Sequence, residues 1–160
     1  MSERDRQAKS VSWDLTAPPT RATVGWPHGH DSSVYHLPRH SEVRFALPGG
    51  REYHAKDVQV YVRARGDAVR GIEVHAEPQT VDEAADHAAA LVGEWGMGGP
   101  SLDGWRRSAA EAARKGQNMP HTARQTDGPL APGGPVMDVE LLSSLDDTRP
   151  VLLEVGFSWL

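Results

Sequence analysis

Residues 26–40, with the sequence WPHGHDSSVYHLPRH, hold four of the eight histidines of the chain and one aspartate. Imidazole nitrogens and carboxylate oxygens are zinc ligands, and catalytic zinc sites use three protein ligands and a water. No predicted helix or strand fixes the spacing of these residues, and ordering each residue of a mobile segment costs about 1–2 kcal/mol. We therefore predict that the cluster binds no metal. Its candidate ligands are His28, His30, Asp31, His36 and His40.

No other motif predicts catalysis. The sequence GMGGPS at residues 96–101 is glycine-rich, but it follows a predicted helix instead of a strand and lacks the lysine of a phosphate-binding P-loop. It is more typical of a connector between two helices. The chain has no cysteine, which excludes thiolate catalysis and cysteine zinc sites. Its serines occur in no strand-turn-helix elbow of the kind that hydrolases use. We predict no catalytic residue and no cofactor.

Composition limits the classes of partner. Seventeen basic and 22 acidic residues give a formal charge of −5, and no long run of like charge is present, which argues against nucleic acid and anionic membranes. No stretch approaches the roughly 18 apolar residues of a membrane span, and the start MSERDRQAKS is too charged for a signal peptide. Arginine outnumbers lysine 14 to 3, which is typical of a GC-rich bacterial genome. We expect a cytoplasmic protein.

The length of 160 residues suits one compact domain. Residues 1–41 are polar, carry several prolines and show no sustained period, which predicts an extended, partly disordered arm. Trp13 and Trp26 lie in this arm, and we expect both to dock on the domain because two exposed indoles would waste apolar area. Residues 42–160 form the predicted domain, in which residues 117–135 are a long irregular loop.

Period-two patterns predict five strands. EVRFAL (42–47) and DVQVYVRAR (57–65) alternate apolar with polar residues, and a third run follows the turn at Gly66 and Asp67. In the third run the alternation shifts by one position after Val69, so the later apolar residues would point to the opposite face. A β-bulge at Gly71 would return them to the same face as Val69. Two further strands follow Pro135 and Pro150.

Period-three-to-four patterns predict two helices between the third and fourth strands. The first opens at Thr80 with the capping box TVDE, presents Leu91 and Trp95 on its apolar side, and ends at Gly96. The second begins at Ser101 and is rich in alanine. The predicted fold is therefore α+β, a five-stranded mainly antiparallel sheet in the order β-β-β-α-α-β-β with two helices on one face and an N-terminal arm.

The opposite face of this sheet is the predicted binding surface. Alternation places polar residues of two neighbouring strands on it, and these are Gln59, Tyr61, Arg63, Glu73 and His75. An ordinary solvated face with cross-strand pairs would have the same composition.

Two classes of function fit the sequence. The favoured interpretation is a non-catalytic bacterial binding protein, immunity-like or an adaptor, which occludes or tethers another protein and needs only a stable domain, an acidic surface and segments that order on contact. The alternative is a small histidine- or metal-dependent enzyme with its site under the N-terminal arm.

Overall fold

The computed structural model describes residues 7–27 and 32–160, which contain seven strands and two helices. In chain order these are β1 (Ser10–Asp14), β2 (Val34–Leu47), β3 (Arg51–Arg65), β4 (Ala68–His75), α1 (Val81–Trp95), α2 (Leu102–Arg114), β5 (Thr122–Gln125), β6 (Val136–Ser143) and β7 (Val151–Ser158). The strands form one mixed sheet in the order β1-β2-β3-β4-β7-β6-β5. The α+β class and the two helices predicted from the sequence are confirmed.

The sheet has two strands more than the five predicted. β1 lies within the predicted arm and pairs parallel with β2, with Trp13 aligned to Phe45. β5 lies within the predicted loop and pairs antiparallel with β6, with Thr122 aligned to Leu141. Both strands are short: SVSWD alternates but carries only two apolar residues, and TARQ carries one. Their conformation depends on hydrogen bonds to a longer neighbour, which are not visible in a local pattern.

The chain divides into two compact units. The first comprises Met1–Val74, Pro129–Val136 and Phe157–Leu160, and the second comprises His75–Gly128 and Met137–Gly156.

An aromatic cluster forms part of the core of the first unit. The ring of Trp13 stacks on Phe45 at 5.4 Å between centroids, and Phe45 also contacts Tyr53 at 5.6 Å. Phe157 meets both of these rings edge-on, at 5.4 Å and 5.2 Å. Such edge-on and offset contacts add about 0.5–1.5 kcal/mol per pair to the stabilisation from burial. The predicted docking of Trp13 is confirmed.

The segment after β1 is held on the turn between β3 and β4. The Arg21 guanidinium lies over the Trp26 ring at 4.3 Å, and its Nε donates to the carbonyl of Gly66 at 2.7 Å. The indole of Trp26 is buried and packs against Tyr35 with 5.5 Å between the ring centroids. Trp26 therefore docks as predicted, and it fixes this part of the arm without regular secondary structure.

Two adjacent irregularities interrupt the pairing of β2 with β3, on either side of Ser41. His40 and Asp57 there adopt left-handed backbone conformations with φ of 64° and 54°, which cost non-glycine residues of order 1–3 kcal/mol each. The buried Ser41 hydroxyl donates to the Pro38 carbonyl at 2.7 Å and accepts from the Lys9 amide at 3.1 Å. The irregular register thus satisfies the hydrogen bonding of a buried hydroxyl group and attaches Lys9, the residue before β1.

In β4, the apolar residues on both sides of Gly71 are buried, and these are Val69, Ile72 and Val74. The predicted bulge at Gly71 stays a prediction.

In the second unit, α1 begins with the predicted capping box. The Thr80 hydroxyl accepts from the Glu83 amide at 3.3 Å, and the Glu83 carboxylate accepts from the Thr80 amide at 3.0 Å. Leu91 and Trp95 are buried and Gly96 ends the helix in the left-handed conformation, as predicted. In α2, the buried Trp105 donates from Nε1 to the carbonyl of Pro120 at 2.7 Å, which fixes the chain leading into β5.

The glycine-rich sequence at residues 96–101 connects α1 to α2 and also pairs with β5. Gly98 and Gln125 exchange backbone hydrogen bonds of 2.9 Å and 3.1 Å. Gly99 has φ of 149°, and a Cβ there would lie 3.0 Å from the carbonyl oxygen of Ala123, so only glycine allows this approach. The prediction of a connector is confirmed.

Candidate functional site

The sheet residues predicted as a binding surface are all at least partly accessible. Gln59, Tyr61, Glu73 and His75 are half-buried and Arg63 is exposed, whereas the residues between them on the same strands are buried. Alternation therefore assigned each side chain to the correct side of its strand. Whether this surface binds anything stays a prediction.

Four of these residues lie in the first unit, and Tyr61, Arg63 and Glu73 have neighbours within it. The Nε of Arg63 donates to the Glu73 carboxylate at 3.1 Å. Tyr61 lies opposite His36 in the pairing of β2 with β3, and their ring centroids are 6.1 Å apart. This part of the face resembles an ordinary polar sheet surface.

His75 lies in the second unit and pairs with Glu154 of β7. Its Nε2 is 3.1 Å from Oε2 of Glu154, and the two side chains are only 21% and 13% exposed. A histidine held by a carboxylate can transfer protons in general acid-base catalysis. Sequence reasoning missed Glu154, although it alternates with the apolar Leu153 and Val155 and so belongs to the accessible side of its strand. The two side chains place one imidazole nitrogen beside one carboxylate oxygen.

The histidine cluster of the N-terminal segment is only partly described. His28, His30 and Asp31 lie outside the described residues. His36 neighbours Tyr61, as above, while Nδ1 of His40 is 3.9 Å from Oδ1 of Asp57 in a pair whose side chains are mostly exposed. The described histidines of the cluster therefore have different neighbours on β3.

Charge is distributed unequally between the two units. The second holds 13 acidic and 6 basic residues, a formal charge of −7, whereas the first holds 9 acidic and 11 basic residues, a formal charge of +2. Six of the exposed carboxylates of the second unit come from the first two turns of α1, the first turn of α2 and the loop before β7. We call them the acidic surface, and they are Asp82, Glu83, Asp86, Asp103, Asp146 and Asp147.

Two arginines partly compensate the acidic surface. Arg106 of α2 pairs with Asp86 and lies 3.6 Å from the Asp82 carboxylate. Asp86 raises the pKa of Arg106 above its usual value, chiefly through their hydrogen bond. Arg149 lies 3.3 Å from Oε2 of Glu83. Six carboxylates against two guanidinium groups leave the acidic surface strongly negative, and it links α1, α2 and the loop before β7.

The loop of residues 144–150 is ordered by its own hydrogen bonds. The amide of Ser144 donates to the carbonyl of Pro150 at 2.8 Å and closes the loop. One carboxylate oxygen of Asp146 accepts from the hydroxyl of Thr148 at 2.8 Å and from its amide at 2.9 Å. These bonds, with a further one from the Arg149 amide, lower the pKa of Asp146. Arg149 anchors the loop to α1 through Glu83.

Neither a family model, a curated protein nor a solved structure matches the chain. Within the described ranges, neither helix combines the length and the apolar character needed to cross a membrane.

Proposed function

We propose that this chain is a non-catalytic binding protein that recognises a basic protein through the acidic surface of its second unit. The observation that carries the proposal is the unequal charge, −7 in the second unit against +2 in the first. Negative charge concentrated on one unit gives a stronger local potential than the same charge spread over the whole chain. Such a potential steers an oppositely charged protein into contact and speeds its association.

An immunity-like or adaptor role in a bacterial cytoplasm fits this surface. A protein of that kind covers or tethers a region of its partner and needs no catalytic group. The pairs on the sheet are less accessible, since Glu73 lies against Arg63 and the side chains of His75 and Glu154 are 21% and 13% exposed. The exposed carboxylates on the helices and the loop are better placed to meet a partner.

The test is affinity capture from an extract of the source organism at two salt concentrations. Charges interact over about 10 Å at about 0.1 M salt but only over about 3 Å at about 1 M salt, so a complex held by charge should form only at the lower concentration. The variant D82N/D103N/D147N removes three charges of the acidic surface and none of the hydrogen bonds that close the 144–150 loop. The matched control E52Q/D57N/D67N removes three charges of the first unit. Captured proteins are identified by mass spectrometry, expressed and titrated against each variant.

We expect one basic protein that binds in a one-to-one complex, is released at high salt and is retained by the control variant. Its affinity for D82N/D103N/D147N should fall at least about tenfold, because each close charge pair across an interface contributes of order 1.5 kcal/mol or more. A partner that binds both triple variants equally would refute the proposal. If Tyr61→Ala reduced its binding instead, the sheet face predicted from the sequence would be the binding surface.

A second candidate function rests on the pair His75 and Glu154. Its partial burial and its distance of 3.1 Å favour a histidine-dependent enzyme. The purified chain would then turn over a substrate that His75→Gln cannot, or would bind zinc that raises its thermal midpoint. Zinc analysis and a thermal shift series with divalent metals separate this function from the binding protein.

A further inference from the structure

The pair of His75 and Glu154 belongs to a group of three side chains that can ligate a metal. Glu73, His75 and Glu154 each offer one ligand atom, these atoms lie within 4.8 Å of one another, and all three residues are half-buried. Glu73 and His75 are two positions apart on β4 and therefore point to the same side of the strand. The strand that carries Glu154, β7, is the neighbour of β4 in the sheet. Two hydrogen-bonded strands thus set the spacing of this group, and sites on strands are held more precisely than sites on loops.

The distances within the group suit a zinc ion. Zinc binds histidine nitrogen and carboxylate oxygen at about 2.0–2.2 Å, so two ligands of a tetrahedral ion lie roughly 3.4 Å apart. Nε2 of His75 and Oε2 of Glu154 are 3.1 Å apart, which is close to that spacing. The Glu73 oxygen, within 4.8 Å of both, comes into range by rotation about its side-chain bonds. Side-chain rotation is therefore enough to place three ligands on one ion.

The charges of the group favour a cation. The side chains of Glu73 and Glu154 are only 28% and 13% exposed, so water screens the repulsion between them poorly. Arg63 donates to Glu73 through Nε at 3.1 Å, but a carboxylate has about four lone-pair sites and can accept from a guanidinium while it ligates a metal. The carboxylate of Asp138 lies over Gly156, two positions after Glu154 on the same side of β7. A divalent ion offsets the repulsion among these carboxylates.

The mixed ligand set selects the kind of ion. Calcium and magnesium prefer oxygen ligands alone, whereas an imidazole nitrogen together with carboxylates suits zinc. Zinc sites with three protein ligands keep the fourth position for water. We propose that Glu73, His75 and Glu154 bind one Zn²⁺ ion, with water in the remaining position.

This inference rests on the second candidate function, for which it names the ion and the ligands that act with His75. Its residues lie outside the acidic surface, so its test is separate from that of the binding protein proposed above.

The experiment uses the full chain, freed of metal with a chelator and then titrated with Zn²⁺ by calorimetry. Elemental analysis after dialysis gives the zinc content per chain. The ligand variants are His75→Gln and Glu154→Gln, and Glu73→Gln supplies the test if either of the more buried residues is needed for folding. Circular dichroism of each metal-free variant checks its fold.

The matched control is His54→Gln. Nε2 of His54 lies 2.7 Å from Oε1 of Glu42, so this pair resembles the one between His75 and Glu154. In the ranges that the structure describes, no third histidine or carboxylate joins it to complete a ligand group.

We expect one Zn²⁺ per chain and a thermal midpoint that rises when zinc is added, with no such rise for Ca²⁺ or Mg²⁺. Each ligand variant should weaken zinc binding at least about a hundredfold, more than the loss of a residue that only orients a ligand. His54→Gln should bind zinc within about twofold of the wild type, because separate sites act independently.

The inference is overturned if the wild type binds no zinc at about 100 μM, a concentration that reveals even weak sites. Zinc binding that His75→Gln leaves unchanged also overturns it, and its loss in H28Q/H30Q/H36Q/H40Q would then assign the ion to the N-terminal histidines. Turnover that depends on His75 but needs no zinc overturns the inference and leaves the second candidate function standing. The acidic surface fails on its own test, in which a captured protein binds D82N/D103N/D147N and its control equally.

Discussion

Gly156 of β7 packs against the Asp138 carboxylate, and a side chain at position 156 is expected to displace it. A Cβ at position 156 would lie 3.0 Å from Cγ and 3.2 Å from Oδ2 of Asp138, and closer still to Oδ1. These distances are below ordinary contact, so the carboxylate would have to leave its position. We expect Gly156→Ala to lower the free energy of unfolding by about 1–3 kcal/mol, the usual cost of overpacking.

The sign of the effect should change when the carboxylate is removed. Alanine is favoured over glycine in a strand by about 0.5–1 kcal/mol, because glycine loses more backbone entropy on folding. In the Asp138→Ala background, Gly156→Ala should therefore be neutral or stabilising by up to about 1 kcal/mol. The double-mutant cycle should give a coupling energy of at least about 1 kcal/mol, as for residues in direct contact.

Urea denaturation followed by tryptophan fluorescence gives the free energy of unfolding of the wild type, the two single variants and the double variant. Gly93→Ala on α1 is the control, since a Cβ there meets no atom within 4 Å and should stabilise the protein by about 1 kcal/mol. If Gly156→Ala changes the stability equally with and without the Asp138 carboxylate, the steric reasoning is wrong.

Three further predictions concern the core, the capping box and the histidines. Leu91→Ala should cost about 2–5 kcal/mol in chemical denaturation because Leu91 is buried in α1; a loss under about 0.5 kcal/mol would show that the site is accessible. The hydrogen bond from the Thr80 amide, with Arg149 nearby, lowers the pKa of Glu83 from its ordinary value of 4.5. The stability that the Glu83 charge contributes is therefore present above pH 4.5 and is lost as the pH falls through the lower folded-state pKa. Glu83→Gln should therefore melt below the wild type at neutral pH and approach it at acidic pH in a thermal unfolding series, whereas a difference that grows on acidification would contradict the assignment. Replacing His28, His30, His36 and His40 together by glutamine should leave the unfolding midpoint within about 2 °C, because we predict that this cluster binds no metal. Stoichiometric zinc in the wild type alone would refute this.

Local patterns were sufficient where a segment carries its own structural signal. The capping box at Thr80, the glycine at position 96 and the apolar spacing through Leu91 located α1, because helix hydrogen bonds and caps join residues a few positions apart. Alternation likewise assigned Tyr61 and His75 to the accessible side of their strands, since successive side chains of a strand point to opposite faces.

The candidate sites needed the tertiary structure. The partner of His75 is Glu154, 79 positions along the chain, and the acidic surface combines carboxylates of two helices and a distant loop. The short strands β1 and β5 exist because β2 and β6 supply their hydrogen bonds. The sequence by itself determined which segments form helices and long strands and which side of each is apolar, because those preferences act over neighbouring residues. Only the tertiary structure decided which strands pair and which charges meet, because these contacts join residues that are far apart in the chain.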